Sequence, residues 1–273
     1  MIRDQRLRYA WYGPLLVVLA SWLFPIIWTA MTSFKPEGGL IGLKPVFTFA
    51  PTLDNYIELF TEKAYGRLML NSLLIAGGAT ALSIFLGCLA AYALSRSRLR
   101  GREQIGLWIL SLRMLPPIAI VVPFYLILSR GGLLDNYIGV VLVYLSFSLP
   151  FAVWMLQGFF SEVPRSIDEA ASADGARPLK ILFVFIVPLC RGGIAVTTMF
   201  TFVFAWNEFL FAFLLTREQW VTVPVRLGST ITPFQTDWGS LTAGAIVSFL
   251  PLIIVVFLLQ REMVRGVSLG AVR

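Results

Sequence analysis

The chain has 273 residues, 58% of them hydrophobic and 14% charged, with a formal net charge of +7. A soluble domain of this length cannot keep so much apolar surface from water, so the composition excludes one and implies an integral membrane protein. Histidine is absent and only two cysteines occur, which removes the commonest general base, proton relay and metal ligand together.

Arg3, Arg6 and Arg8 precede an apolar run at 9–31. That order resembles a leader peptide, but the run exceeds a leader's apolar region and no small-x-small cleavage site follows. The run is therefore predicted to be an uncleaved first spanning helix, after a cytoplasmic segment 1–8. An external loop, 32–69, follows with Pro36, Pro45 and Pro51 and a short helix begun by Thr52-Leu53-Asp54-Asn55-Tyr56. It serves either as a surface for an external partner or as a connection. Further runs at 70–94, 105–128, 138–160, 188–214 and 241–259 are close to the roughly 20 residues a spanning helix needs. They make a five-helix core, 70–259, with a loop at 161–187 and a tail at 260–273. Asn71 reads as a helix-start cap. Gly77, Gly78 and Ala79, then Gly87, Ala90 and Ala91, are spaced for close helix packing in lipid.

Fourteen of the 22 basic residues fall on one side of these spans. They are the N-terminal three, Arg96, Arg98, Arg100 and Arg102, then Arg165, Arg177, Lys180 and Arg191, then Arg261, Arg265 and Arg273. Lys35, Lys44, Lys63, Arg67, Arg130, Arg217 and Arg226 are spread over the longer loops opposite. The arginine-dense side is expected to be cytoplasmic, with both termini inside.

The loop 161–187 has its own local logic. Ser166-Ile167-Asp168-Glu169 fits a capping box, and Ala170, Ala171 and Ala173 continue a short helix. Gly175 supplies the left-handed position that stops it, and Pro178 suits the first position of the next helix. Ile167, Ala170, Ala171 and Asp174 fall at helical spacing on a small, nearly flat face suited to a groove. By local physics the same segment is equally an interfacial connector.

Chemistry-bearing residues inside the spans are few. Arg113 lies well inside the third run, where a charge usually faces a polar cavity or a partner, and Pro116-Pro117 directly after it breaks the helical ladder. It is either a donor to substrate hydroxyls or a structural charge reaching the membrane surface. Trp206-Asn207-Glu208 offers a ring face, an amide and a carboxylate, a set that suits a sugar and equally an aromatic belt with capped polar groups. Tyr125, Trp154 and Gln157 are weaker pathway candidates. Cys88 and Cys190 read as small apolar fillers. No nucleophile–base pair or metal-ligand cluster is visible, which argues against an enzyme. No phosphate-binding loop occurs, so any ATP that drives the protein is bound by another chain.

Glu169-Ala170-Ala171, three residues, Gly175 and an apolar helix reaching Phe185-Ile186-Val187-Pro188 resemble the EAA motif of bacterial ABC importer permeases. That pattern ends Ile-x-Leu-Pro; here the proline and the apolar character match and two identities differ. Arg113-Met114-Leu115-Pro116-Pro117, Gly132-Leu133-Leu134-Asp135, Leu149-Pro150-Phe151-Ala152-Val153-Trp154, Trp206-Asn207-Glu208-Phe209 and the C-terminal Gly266-Val267-Ser268-Leu269-Gly270-Ala271-Val272-Arg273 look like the carbohydrate-uptake branch. Nearly the whole length from Tyr9 is covered, and the maltose-type second permease is the most similar type.

The resemblance implies an all-α polytopic fold with six transmembrane helices, the type I importer permease fold, in the cell (inner) membrane. It implies an ATPase-coupling set of Ile167, Asp168, Glu169, Ala170, Ala171, Asp174, Gly175 and Arg177, docked into a cleft of an ATPase subunit. It implies partners: a second homologous permease, two ATPase subunits carrying ATP and Mg, an external solute-binding protein and a carbohydrate substrate. No cofactor on this chain and no nucleic acid are expected. Two alternatives stand beside it: the same transporter class serving a polyol or glycerol phosphate, and an ion-coupled secondary carrier. The carrier has only Arg113 and Glu208 as buried ionisable groups to work with.

Overall fold

The computed structural model of the chain describes residues 2–36, 47–97, 100–231 and 236–270. Lys44, Pro45, Arg98 and residues 271–273, together with the side chains of Arg3, Arg6, Arg8 and Arg265, lie outside the described residues. The described chain is helical almost throughout, with one isolated bridge between Ile231 and Thr236.

Four helices are long and apolar enough to cross a membrane: Tyr12–Ser33, Tyr65–Arg96, Tyr137–Glu162 and Trp238–Glu262. They belong to α1 (Ile2–Ser33), α3 (Tyr65–Arg96), α6 (Tyr137–Glu162) and α11 (Trp238–Gly270). The remaining two expected spans are not continuous. The third is broken into α4 (Arg102–Ser111), a tight turn Leu112–Met114 and α5 (Pro117–Arg130), bent by 88°. The fifth is a bent pair, α8 (Pro178–Leu189) and α9 (Arg191–Trp206), at 85°. A further break at Asn207–Phe209 precedes α10 (Leu210–Leu215). Counting each bent pair as one span, the described residues carry up to six.

Both breaks have local causes. Leu115 and Pro116 are extended, with ψ 128° and 123°, because a residue before proline is pushed out of the helical region. Pro117 then takes the first position of α5, where its missing N–H costs nothing. The second bend falls at Cys190 (φ −96°, ψ 16°), just after a π-helical stretch Ile181–Ile186.

The described residues form two compact units, each with its own packing. The first comprises Met1–Gly66 with Leu227–Leu250. In it the short helix begins two residues later than expected, as α2 (Asp54–Thr61). Asn55 ties that helix to the end of α1 by donating to the carbonyls of Ser33 and Lys35, both at 2.8 Å. Lys63 pairs with Glu58 at 2.8 Å and with Asp237 and Ser240.

The second unit, Arg67–Arg226 with Pro251–Arg273, has two apolar clusters. One gathers Ile75 and Ala79 of α3, Val121 of α5, Tyr144 of α6, Phe202 of α9 and Phe211 of α10. The other gathers Cys88 and Ala91 of α3, Leu156 and Phe160 of α6, Leu182 of α8 and Cys190. In lipid, whose tails are as apolar as these side chains, the clusters hold the helices together by close packing rather than by removal from water. Glycine is required at one helix contact, where a Cβ on Gly193 would run into the Phe159 ring, and a Cβ on Gly87 would be tight, 3.1 Å from the Ala152 Cβ. Cys88 and Cys190 are both buried free thiols in the second cluster.

Candidate functional site

The loop after α6 folds as α7 (Arg165–Ala173), a turn, and α8. The turn has a defined physical origin. Gly175 takes φ +79°, a conformation costly for residues with a Cβ. Its N–H donates to the Ser172 carbonyl at 3.0 Å and the Ala176 N–H reaches back to the Ala171 carbonyl at 2.9 Å. That pair of bonds is the Schellman closure of a helix C-terminus. Pro178 stands at the first position of α8, after Arg177 in extended conformation.

The helix start differs from the expected capping box. The residue preceding α7 is Pro164, with no side-chain cap bond, and Ser166 lies inside the first turn. Val163-Pro164 ends α6 in an extended step, so the proline, rather than the Ser166 hydroxyl, sets where α7 begins.

The coupling set also divides between two faces. Ala171 is 6% exposed, and Ile167 and Asp168 are partly covered by the bundle. Glu169, Ala170, Asp174, Gly175 and Arg177 are exposed, as are Arg165, Ser166, Ser172 and Ala173. The expected flat face of Ile167, Ala170, Ala171 and Asp174 is therefore split: Ile167 and Ala171 anchor the helix inward, and Ala170 and Asp174 look outward. Asp168 accepts a hydrogen bond from the Tyr92 hydroxyl at 2.9 Å and pairs with Arg96 at 3.1 Å, both on α3. Its carboxylate is engaged within its own chain and does not belong to the outward surface.

The pathway candidates separate as well. Arg113 sits in the turn that breaks the third span, its guanidinium 4.4 Å from the Phe151 ring and 4.5 Å from the Phe204 ring. The two ring faces are the charge's neighbours, and no ion pair is formed with it among the described residues. Phe200 and Trp154 extend this aromatic group, each packed against Phe151, and Trp154 is half exposed. Trp154 and Gln157 also line a cleft of about 590 Å³ between α4 and α6, with Glu103, Gly106 and Leu107 opposite.

Trp206 is a correction. It is 3% exposed and stacks on Phe202 at 5.7 Å within the first apolar cluster, so its ring face is filled by the protein. Glu208 accepts from the Phe211 N–H at 3.0 Å and caps α10, the carboxylate being engaged at a helix start. Asn207 turns back onto the Val203 carbonyl at 2.8 Å. Trp206-Asn207-Glu208 therefore builds a helix break, with the Trp206 ring in the core and Asn207 exposed. Tyr125 accepts from Arg217 at 3.1 Å.

Asn71 is not a cap: it lies within α3 and donates to the carbonyls of Gln219 and Val221 at 2.8 and 3.0 Å. Its loop partner is set by Asp135, whose organising role the sequence reading missed. The Asp135 carboxylate accepts the N–H groups of Glu218, Gln219 and Trp220, each at 2.9 Å. Its own N–H donates to Leu215 at 2.8 Å, and its backbone is left-handed at φ +50°. Burial pushes this carboxyl upward, but the N–H donors of Gln219, Glu218, Trp220 and Arg217 outweigh it and hold its pKa below the ordinary 3.8. Gly132-Leu133-Leu134-Asp135 was the available signal, since aspartate is among the few residues with a Cβ that adopt this backbone.

Comparison with known proteins bears on both regions. The sequence pattern of the family described as "Binding-protein-dependent transport system inner membrane component" matches residues 83–269, a stretch that includes all of α7 and α8. The trehalose/maltose transport system permease protein MalG of Thermococcus litoralis is 34% identical over 259 residues, 92% of this chain and 91% of that protein. The trehalose transport system permease protein SugB of Mycobacterium tuberculosis is 34% identical over 260 residues, 94% of each. Among solved structures, a chain of a bacterial ABC transporter involved in the import of the acidic polysaccharide alginate superposes with a TM-score of 0.78 at 25% identity. That match covers 95% of this chain and 97% of the other.

Proposed function

The chain belongs to the family of binding-protein-dependent transport system inner membrane components, and from that premise we propose that it is one of two homologous permeases of an ATP-driven carbohydrate importer, coupled to an ATPase through α7. It is a multi-pass membrane permease of the ABC class and a transport component rather than an enzyme. The carbohydrate reading is supported by relatives named for trehalose and maltose transport at 34% identity over more than nine-tenths of the chain. The partners in this reading are a second permease, two ATPase subunits that carry ATP and Mg, and an external solute-binding protein. Both termini lie on the ATPase side.

The observation that carries the coupling role is the outward surface of α7. Glu169, Ala170, Ala173 and Asp174 are exposed on a helix whose other face, through Ile167 and Ala171, is seated on the bundle. A short helix with small exposed side chains admits close approach of a partner groove, and its closed C-terminus keeps it rigid enough to pass on a push. ATP closes the nucleotide-binding pair, docked helices follow, and the spans change their side of opening. The drive is the higher affinity of ATP for the closed state.

Gly175→Asp tests this reading. A Cβ there meets no atom of this chain within 4 Å, so the added carbon does not disturb the packing of α7 on the bundle. It places a strained, charged residue at the end of the proposed docking face, at a conformational cost of about 1–2 kcal/mol. Membrane insertion is expected to remain intact, with ATPase co-purification lost or transport uncoupled from hydrolysis. Normal assembly and coupled uptake by this variant removes the role of α7.

A further inference from the structure

Beyond the apolar packing of Ala171, α7 has three attachments. Two are covalent, to α6 through Val163-Pro164 and to α8 through the Gly175 turn. The third is remote in sequence. Arg96, in the last turn of α3, donates through Nη2 to the Val163 carbonyl at 2.9 Å and pairs through Nε with Asp168 at 3.1 Å. One guanidinium thus holds both the end of α6 and the first turn of α7. Tyr92, one turn earlier on the same face of α3, donates its hydroxyl to the other carboxylate oxygen at 2.9 Å. The Arg96 and Asp168 side chains are 11% and 16% exposed. Nε and Oδ2 meet as a close ion pair without hydrogen-bond alignment.

We propose that Tyr92, Arg96 and Asp168 form a clamp that makes α3 and α7 move as one body, so that displacement of α7 enters the bundle through α3 as well as through the two chain connections. The three are positioning residues for coupling, and the inference rests on α7 being the coupling element. A short helix tied at its two ends and packed on small apolar side chains resists rocking about the line joining its ends only through that packing. A polar attachment off that line adds a second, directional restraint on the rotation. Apolar packing already seats Ala171 in the second cluster, and well-packed apolar side chains hold a helix as firmly as a covered ion pair does. What the charge pair adds is direction: it fixes which turn of α7 faces which turn of α3.

The test uses the complete transporter in lipid vesicles, with Cys88 and Cys190 replaced by alanine. Spin labels are placed at Ser172, exposed on α7, and Leu82, 42% exposed on α3. Their distance is measured nucleotide-free and after trapping with ATP and vanadate. With the clamp intact the two states are expected to give the same distance. Arg96→Ala or Asp168→Ala is expected to make the states differ by about 2 Å, the scale of helix shifts in switching proteins. The exchanged pair Arg96→Asp with Asp168→Arg is expected to restore equality, and Tyr92→Phe to give a smaller difference. A static role moves both states alike, or lowers only the amount of assembled complex, and overturns the clamp. So does a distance that stays equal in every variant. Gly175→Asp separates the two readings. If it leaves ATPase assembly and coupled hydrolysis normal, the coupling role of α7 fails; if it abolishes them while Arg96→Ala and Asp168→Ala, made with Gly175 in place, keep equal distances, the clamp alone fails.

Discussion

Arg113 illustrates how a residue flagged by cost alone acquires a definite environment. Its sequence position said only that a charge was placed among apolar residues. The structure stacks it between Phe151 and Phe204, an arrangement worth about 0.5–2 kcal/mol depending on desolvation. The planar guanidinium is what two ring faces accept; an ammonium lacks the plane. Arg113→Lys is therefore expected to lower substrate-stimulated ATP hydrolysis by about threefold to tenfold, with Arg113→Ala at least as severe and both assembled at wild-type levels. Stimulated turnover in vesicles supplied with the binding protein checks this, and unchanged affinity and turnover in both variants would make the residue purely structural. Trp206 teaches the opposite lesson. An aromatic beside an amide and a carboxylate suggested a sugar, yet its ring is spent on Phe202, and Glu208 is spent on a helix start.

At the level of elements, the largest departures from expectation are breaks. A run of apolar residues specifies burial in lipid without specifying straightness, so 105–128 and 188–214 read as single spans. Backbone chemistry decided otherwise. Pro116 and Pro117 act in sequence: Pro116 excludes Leu115 from the helical region, and Pro117 does the same to Pro116. Replacing Pro116 alone leaves the second restriction in place. Pro116→Ala is thus expected to keep the 88° bend, whereas Pro116→Ala with Pro117→Ala lets helical hydrogen bonds run through the junction. The double variant is expected to lose most uptake while inserting normally. Spin-label distances between α4 and α5 measure the change directly, and an unaltered distance in the double variant would assign the bend to packing. The end of α7, in contrast, was readable, because a glycine followed three residues later by proline has few other uses.

For the whole molecule, charge asymmetry is the strongest statement about placement. Fourteen of the 22 basic residues lie in or beside two connecting loops and the two terminal segments, and segments rich in Lys and Arg are retained on the cytoplasmic side. With the native cysteines removed, Arg100→Cys is expected to resist a membrane-impermeant maleimide in intact cells and Glu218→Cys to react. Labelling of Arg100→Cys in sealed cells would invert the proposed orientation. The apolar window of α1 has none of its residues buried inside the described structure, which fits a helix whose solvent is lipid or another subunit.

Composition, hydropathy and arginine spacing by themselves determined that this is a polytopic helical membrane protein, where most spans lie, and which loop forms a short helix closed by Gly175. Those features depend on local backbone chemistry and on transfer from water to lipid, and both are properties of contiguous residues. Only the tertiary structure decided that Asp168 faces inward to Arg96, that Trp206 is core, and that Asp135 gathers three N–H groups from a loop more than 80 residues away. Each of these depends on which distant helix turn ends up opposite a side chain. Helix packing sets that register, and a one-dimensional pattern does not carry it.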